Sequence, residues 1–418
     1  MKKVLLPSLL LLLAACASEG GLRTTILDGT LIRTGTADPC LVYDDGSYYL
    51  TMTGASKLVM VKDSSLARLG SDVHPLASAA VIYDSALDST VTRLYGDGAV
   101  INGTWSPEIH YFSEEEFPGQ SGWYLYLALR QQYVEKNGTG SSRNVRMVVL
   151  KSSTGRVDGP YASPLNGVEN QTQPMLDPDG SVITRWALGP SVLRVPGGPC
   201  QGTYLMWVEE TGRGEGLGKF YQKIMVSHLA SPWQLAGEPG VITTPTQEWE
   251  THGSSETHPC VVEGGTAVYG DDGEVFLTYS GSGYWSDYGL GQLTLLRDGR
   301  DGYHDPLQTG SWVKYEGNPV FSSADSDDLR GAGHGFFLRD AGGARFFCYH
   351  AYPFTDGVKA KARNAYLEPY AIDKEAACPS APEGVLRMGK TGTATTTPVH
   401  TQIEFKTQGP SIAKSGTN

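Results

Sequence analysis

The sequence predicts an all-β protein, a five-bladed β-propeller, and three observations carry that prediction. One unit recurs five times along the 418 residues: a polar or small start, an apolar strand, a Gly-rich turn and an aromatic strand. The unit starts lie roughly 65–85 residues apart, a length suited to a four-stranded blade with long loops. No amphipathic helical window of useful length interrupts them.

The first unit opens at Asp38-Pro39, runs through Cys40-Leu41-Val42-Tyr43, turns at Asp45-Gly46 and returns on Tyr48-Tyr49-Leu50. The second opens on Trp105-Ser106-Pro107-Glu108 and returns over 123–127. The third pairs 188–193 with 203–207. The fourth starts at His258-Pro259-Cys260 and returns over 271–279, and the fifth pairs 333–338 with 345–350. Five units favour a propeller over a β-sandwich joined to a second β domain. The first strand of each blade lines the central channel. Asp38, the 105–108 segment, Gly189, the 256–258 segment and His334 should therefore gather at one mouth of it. The propeller is expected over 33–390, after a leader at 17–32. The tail, 391–418, is rich in Thr, Gly and Ser; it is expected to be partly disordered, with some of it available as a closing strand.

Composition narrows the function. Charged residues make up only 19%, while Gly numbers 52 and Tyr 22, which suits many turns and exposed stacking surfaces. The formal net charge of −12 and the lack of a basic stripe exclude nucleic acid as the partner. Residues 1–16 read as a secretory signal: Lys2-Lys3, an apolar run from Val4 to Leu13, then Leu13-Ala14-Ala15-Cys16. That ending resembles the bacterial lipobox, which implies cleavage before Cys16, a lipid on its thiol and anchoring in the cell envelope by that lipid only. An ordinary signal peptide or a short anchor is the alternative. The remaining cysteines, Cys40, Cys200, Cys260, Cys348 and Cys378, show no CxxC spacing and read as mostly buried free thiols rather than a zinc site.

No P-loop, HExxH or GxSxG motif is present. What remains is carboxylates at blade starts among Trp and Tyr, the equipment of glycoside hydrolysis: one group protonates the leaving oxygen and another activates water. The blade starts resemble those of glycoside hydrolase family 43, especially its α-L-arabinofuranosidase branch. The matching pieces are Ala37-Asp38-Pro39, Gly46-Ser47-Tyr48-Tyr49, Trp105-Ser106-Pro107-Glu108-Ile109-His110, Ser231-Pro232-Trp233, Trp249-Glu250, Tyr279-Ser280-Gly281, Gly331-Ala332-Gly333-His334 and Tyr349-His350-Ala351.

The resemblance implies an inverting hydrolase of α-L-arabinofuranosyl or β-xylosyl linkages in plant polysaccharides, working as a monomer, with Asp38 as general base. The family's acid lies in a Glu-Gly-Pro at the fourth blade start. Glu256, in Ser255-Glu256-Thr257-His258-Pro259, is taken for it, one residue out of step, with Glu250 the weaker alternative. The family's third carboxylate, an Asp in the third blade, falls on Gly189; Asp177 and Asp179 are the nearest substitutes. Trp105, Glu108, His258, Trp285 and Tyr288 are candidate substrate contacts. His334 matches an axial histidine and implies a structural calcium ion. The missing third carboxylate leaves a carbohydrate-binding propeller without catalysis as the alternative function.

Overall fold

The computed structural model describes residues 30–134, 140–141, 144–285, 287–323, 326, 328–340, 345–388 and 405–407. The signal segment, Cys16, most of the leader and nearly all of the tail lie outside the described residues.

Five antiparallel sheets form the blades. Blade I runs from the inside out as Cys40–Asp44, Ser47–Thr51, Lys57–Asp63 and Ala80–Asp84. Blade II is Ile101–Phe112, Gly122–Gln131, Val145–Ser152 and Tyr161–Ala162. Blade III is Ala187–Val195, Gly202–Thr211, Tyr221–Ser231 and Gln234–Thr243. Blade IV is Val262–Tyr269, Val275–Gly281, Gly289–Leu295 and Trp312–Lys314. Blade V is Leu329–Asp340, Arg345–Thr355 and Asn364–Asp373.

The ring closes through the N-terminus. Thr30–Arg33 pairs with Asn364–Asp373 and is the outer strand of blade V, so the end of the expected leader is part of the fold. Phe405–Thr407 pairs with the inner strand of the same blade. The core is a set of layers between blades. Val42, Leu58, Leu125 and Leu150 join blades I and II; Leu290, Phe321, Phe347 and Tyr349 join IV and V; Leu41, Leu50, Leu338 and Phe346 join V and I. Removing apolar surface from water on both faces of every sheet makes the ring rigid enough to hold a site at its axis.

A kink common to the blade starts positions that site. Asp38, Ser106, Gly189, Gly264 and His334 all have positive φ, between 39° and 62°. Each is followed by a proline or a glycine: Pro39, Pro107, Pro190, Gly265 and Gly335. In blades II to V the strand register slips at that point, as at a β-bulge, which re-aims the neighbouring side chains. Left-handed backbone is tolerated by Asp and Gly and is uncommon for other residues, so the kinks mark a built feature of every blade.

Candidate active site

Asp38 occupies the kink of blade I, and groups from blades I and V surround its carboxylate. Thr53 Oγ1 donates to Oδ2 at 2.5 Å and itself accepts from the Ser106 backbone N–H at 2.9 Å, tying blades I and II together at the channel. Oδ1 faces three groups of blade V: His350 Nδ1 at 3.2 Å, Arg363 Nη1 at 3.3 Å and His334 Nδ1 at 3.6 Å. Arg363 also donates to His350 Nε2 at 3.3 Å. The Asp38 backbone N–H also donates to His350 Nδ1 at 3.1 Å, so both nitrogens of the ring face donors. Burial and the Arg363 charge push the His350 pKa down to about 3, so the ring is neutral at working pH. Burial by itself raises Asp38; Arg363, then His334 and His350, outweigh it and hold the carboxyl well below the usual range.

Facing it from blade IV is Glu263, one residue before the Gly264 kink. Burial is the largest influence on this carboxyl and raises it; the negative charge of Asp38 raises it further, while His334 and hydrogen bonds from Gln222 and Tyr288 pull the other way. The net direction is up. Tyr288 Oη donates to Oε1 at 3.1 Å, and the Tyr288 ring stacks on His350 with centroids 5.7 Å apart. A Cβ on Gly264 would sit 2.9 Å from the His334 ring, so glycine lets blades IV and V close there. Two carboxyls thus meet across the channel in opposite states, one held ionised and one biased towards its proton. That is the division of labour between a general base and a general acid.

The structure redistributes the residues expected from sequence. Asp38 and His334 lie at the channel mouth together. Glu256 does not join them: it is exposed on the segment before the inner strand of blade IV, and the blade IV carboxyl coupled to Asp38 is Glu263. His258 is exposed beside it, its ring 4.9 Å from that of half-buried Trp285, which in turn meets exposed Tyr284 at 4.8 Å. Arg363 lies 5.1 Å from the Tyr284 ring, so these aromatics border the site. Tyr288 is no sugar platform; its face is covered by His350 and its hydroxyl serves Glu263. Glu108 is turned into the blade, 2.8 Å from His110 Nε2. Trp105, half-buried, precedes the Ser106 kink as Glu263 precedes its own, with the Arg130 guanidinium 5.2 Å from its ring. Calcium takes an oxygen-rich cage. His334 faces Asp38, and no group of three or more metal-ligating side chains is assembled among the described residues. These residues do not fit a calcium site. Cys40, Cys260 and Cys348 are buried free thiols, Cys200 is a half-buried free thiol, and Cys378 is half-buried.

Sequence reasoning missed Glu263, Arg363 and the place of His350 beside Asp38. Glu263 had a legible signal, since Glu263-Gly264-Gly265 repeats the kink pattern of Asp38-Pro39 and Gly189-Pro190. Arg363 had none.

Among curated proteins, the chain is 27% identical over 322 residues to an extracellular exo-α-(1→5)-L-arabinofuranosidase of Streptomyces avermitilis, covering 77% of this chain and 55% of that protein. It is 25% identical over 346 residues to α-L-arabinofuranosidase 43 of Humicola insolens, covering 82% and 60%. The chain therefore spans little more than half the length of these relatives. An α-L-arabinofuranosidase structure from Lactobacillus brevis superposes with a TM-score of 0.61 at 23% identity, covering 87% of this chain and 97% of that one, and shares the fold. A family model, Glycosyl hydrolases family 43, matches residues 30–376, and the chain belongs to that family.

Proposed function

We propose that this protein is an inverting glycoside hydrolase that releases α-L-arabinofuranosyl units from plant polysaccharide or its fragments. The observation that carries the reading is the pair of carboxyls with opposite bias, Asp38 and Glu263, on converging blade starts. The named activities of the curated relatives favour arabinofuranosyl over β-xylosyl linkages. Asp38, with one oxygen steadied by Thr53 and the other by Arg363 and His350, takes a proton from a water as its oxygen bonds to the anomeric carbon. Glu263 gives its proton to the departing glycosidic oxygen as that bond breaks. Both groups then exchange protons with solvent. The binding-only alternative drew on Gly189 and on a disturbed fourth-blade motif; Glu263-Gly264 answers the second, seven residues downstream of Glu256.

The test is turnover of an aryl α-L-arabinofuranoside by the wild type and by Asp38→Asn, with the product anomer followed by NMR. Inverted product from the wild type and a loss of about 10²–10⁴-fold in the variant support the reading. Equal turnover, or a retained anomer, contradicts it.

Export and attachment through a lipid on Cys16 form part of the proposal, supported by the 1–16 segment and by the extracellular location in one relative's name. Cys16→Ser should move the protein from the membrane to the soluble fraction. All the groups above come from one chain, consistent with a monomer, which sedimentation would check.

A further inference from the structure

The proposed chemistry leaves the outer part of blade IV unused, yet that is the side on which the departing chain must lie. Glu263 hands its proton to the leaving oxygen, so the chain beyond that oxygen sits over the acid's own blade. Glu263 pairs across the sheet with Ser280, and its neighbour Val262 with Gly281. Gly281 pairs in turn with Gly289 on the third strand, so two strand spacings, about 10 Å, separate the acid's strand from the third.

An open cavity of about 500 Å³ lies along this stretch, lined by Gln247, Glu248, Trp249, His252, Glu316 and Asn318. A Cβ on Gly281 would meet the Trp249 ring at 2.7 Å, so glycine lets the indole lie against the second strand. The Gly283 N–H donates to the His252 carbonyl at 2.8 Å, Ser282 Oγ donates to the Trp249 carbonyl, and His252 Nδ1 lies 3.3 Å from Asp287 Oδ2. The segment carrying Tyr284 and Trp285 is thus tied to the cavity on both sides, while the Tyr284 ring reaches Arg363 at the channel mouth. Cavity and mouth share a wall.

The lining is held in place. Trp249 Nε1 donates to Gln247 Oε1 at 2.8 Å, Gln247 Nε2 donates to the Tyr315 carbonyl at 2.8 Å, and Asn318 Oδ1 accepts from the Gln292 N–H at 2.8 Å. Glu248, His252 and Glu316 are exposed around the half-buried indole. An aromatic face with carboxylates and an imidazole beside it suits a sugar, which offers C–H surface to the ring and hydroxyls to the acceptors. Glu248, Glu316 and Asp287 make the rim acidic, which disfavours an anionic chain and admits a neutral one.

We propose that this cavity is an accessory binding site for a neutral polysaccharide, holding units of the departing chain beyond the bond broken at Glu263. The proposal rests on the glycosidase reading and on Glu263 as the acid. It also gives Trp249-Glu250 a divided role: Glu250 pins the segment, and Trp249 offers its face to a sugar ring.

The experiment compares kcat/KM on arabinoxylan with kcat/KM on an aryl α-L-arabinofuranoside, whose aglycone is too short to reach the cavity. In the double variant Glu248→Ala, Glu316→Ala, at two exposed positions, the ratio of the first to the second should fall about tenfold, through KM for the polymer. Trp249→Phe, which keeps a ring on Gly281, should lower the ratio by less. A wild-type ratio in the double variant overturns the proposal, as does an equal loss on both substrates with a lowered urea midpoint, the mark of a structural role. A second assay needs no turnover. Asp38→Asn should be retarded in gels containing arabinoxylan and not in gels containing polygalacturonate, and adding the two glutamate changes should raise the apparent Kd about tenfold. Retardation that those changes leave unaltered, that is missing with arabinoxylan, or that is equal with polygalacturonate overturns the site. If the wild type fails to hydrolyse the arabinofuranoside while the gel result holds, the catalytic reading fails and the binding site stands.

Discussion

Blade IV holds two glutamates thirteen residues apart in sequence, one buried and one half-buried, and they do opposite things. Glu250, fully buried, accepts from the N–H groups of Thr246 at 2.5 Å and Gln247 at 2.7 Å, from Tyr279 Oη at 2.7 Å and from Lys314 Nζ at 2.7 Å. Its negative charge is met on every side, so it pins the 244–251 segment to the blade. Glu263 has one hydroxyl, one amide, the His334 ring and an anionic neighbour, and burial still carries its carboxyl upward. The residue type is the same; Glu250 is sealed among donors and the Lys314 ammonium, while Glu263 is half-buried beside an anion, and these surroundings bias Glu263 towards its proton.

The contrast can be broken by exchange. Glu263→Gln should lower kcat by about 10²–10⁴-fold while the protein stays folded. Glu250→Gln should do the reverse. It strands the buried Lys314 ammonium and should cost about 3–5 kcal/mol of stability in urea unfolding, while the folded fraction keeps its kcat. A smaller effect distinguishes the donors to Glu263. Tyr288→Phe removes a hydrogen bond that favours the ionised form, so the alkaline limb should move to higher pH by less than about one unit. Smallest is Trp285→Ala at the rim, expected to raise KM by about two- to tenfold with kcat little changed.

Stability should follow pH in two opposed ways. Asp38 has a depressed folded value, so its contribution is present above the ordinary Asp range and is lost as pH falls through the depressed value. Glu263 has a raised folded value, so its contribution is present below its unfolded value and is lost as pH rises through the folded one. Glu263→Gln removes only the second, and should therefore gain stability relative to the wild type as pH rises above the ordinary Glu range, as urea midpoints measured below and above that range would show.

The propeller was readable because its blade starts and Gly-rich hairpins are local patterns, and Asp38 was readable because Asp-Pro before an apolar strand is one of them. Glu263 escaped because attention fell on His258-Pro259, whose proline lies outside the inner strand; the true kink uses Gly264-Gly265, where glycine does what proline does in blades I to III. Residues 30–32 were read as leader because a four-residue edge strand has no signature until Asn364–Asp373 supplies its partner. Arg363 and His350 reach Asp38 from more than 300 residues away, a contact created only by ring closure.

The central claim is that Glu263 protonates the leaving oxygen while Asp38 activates water. The most direct measurement is kcat/KM of Glu263→Gln on two arabinofuranosides, one with a leaving group that departs without a proton, such as dinitrophenolate, and one with an alcohol that needs it. The account predicts near wild-type rates on the first and a loss of about 10²–10⁴-fold on the second. Equal losses on both would contradict it.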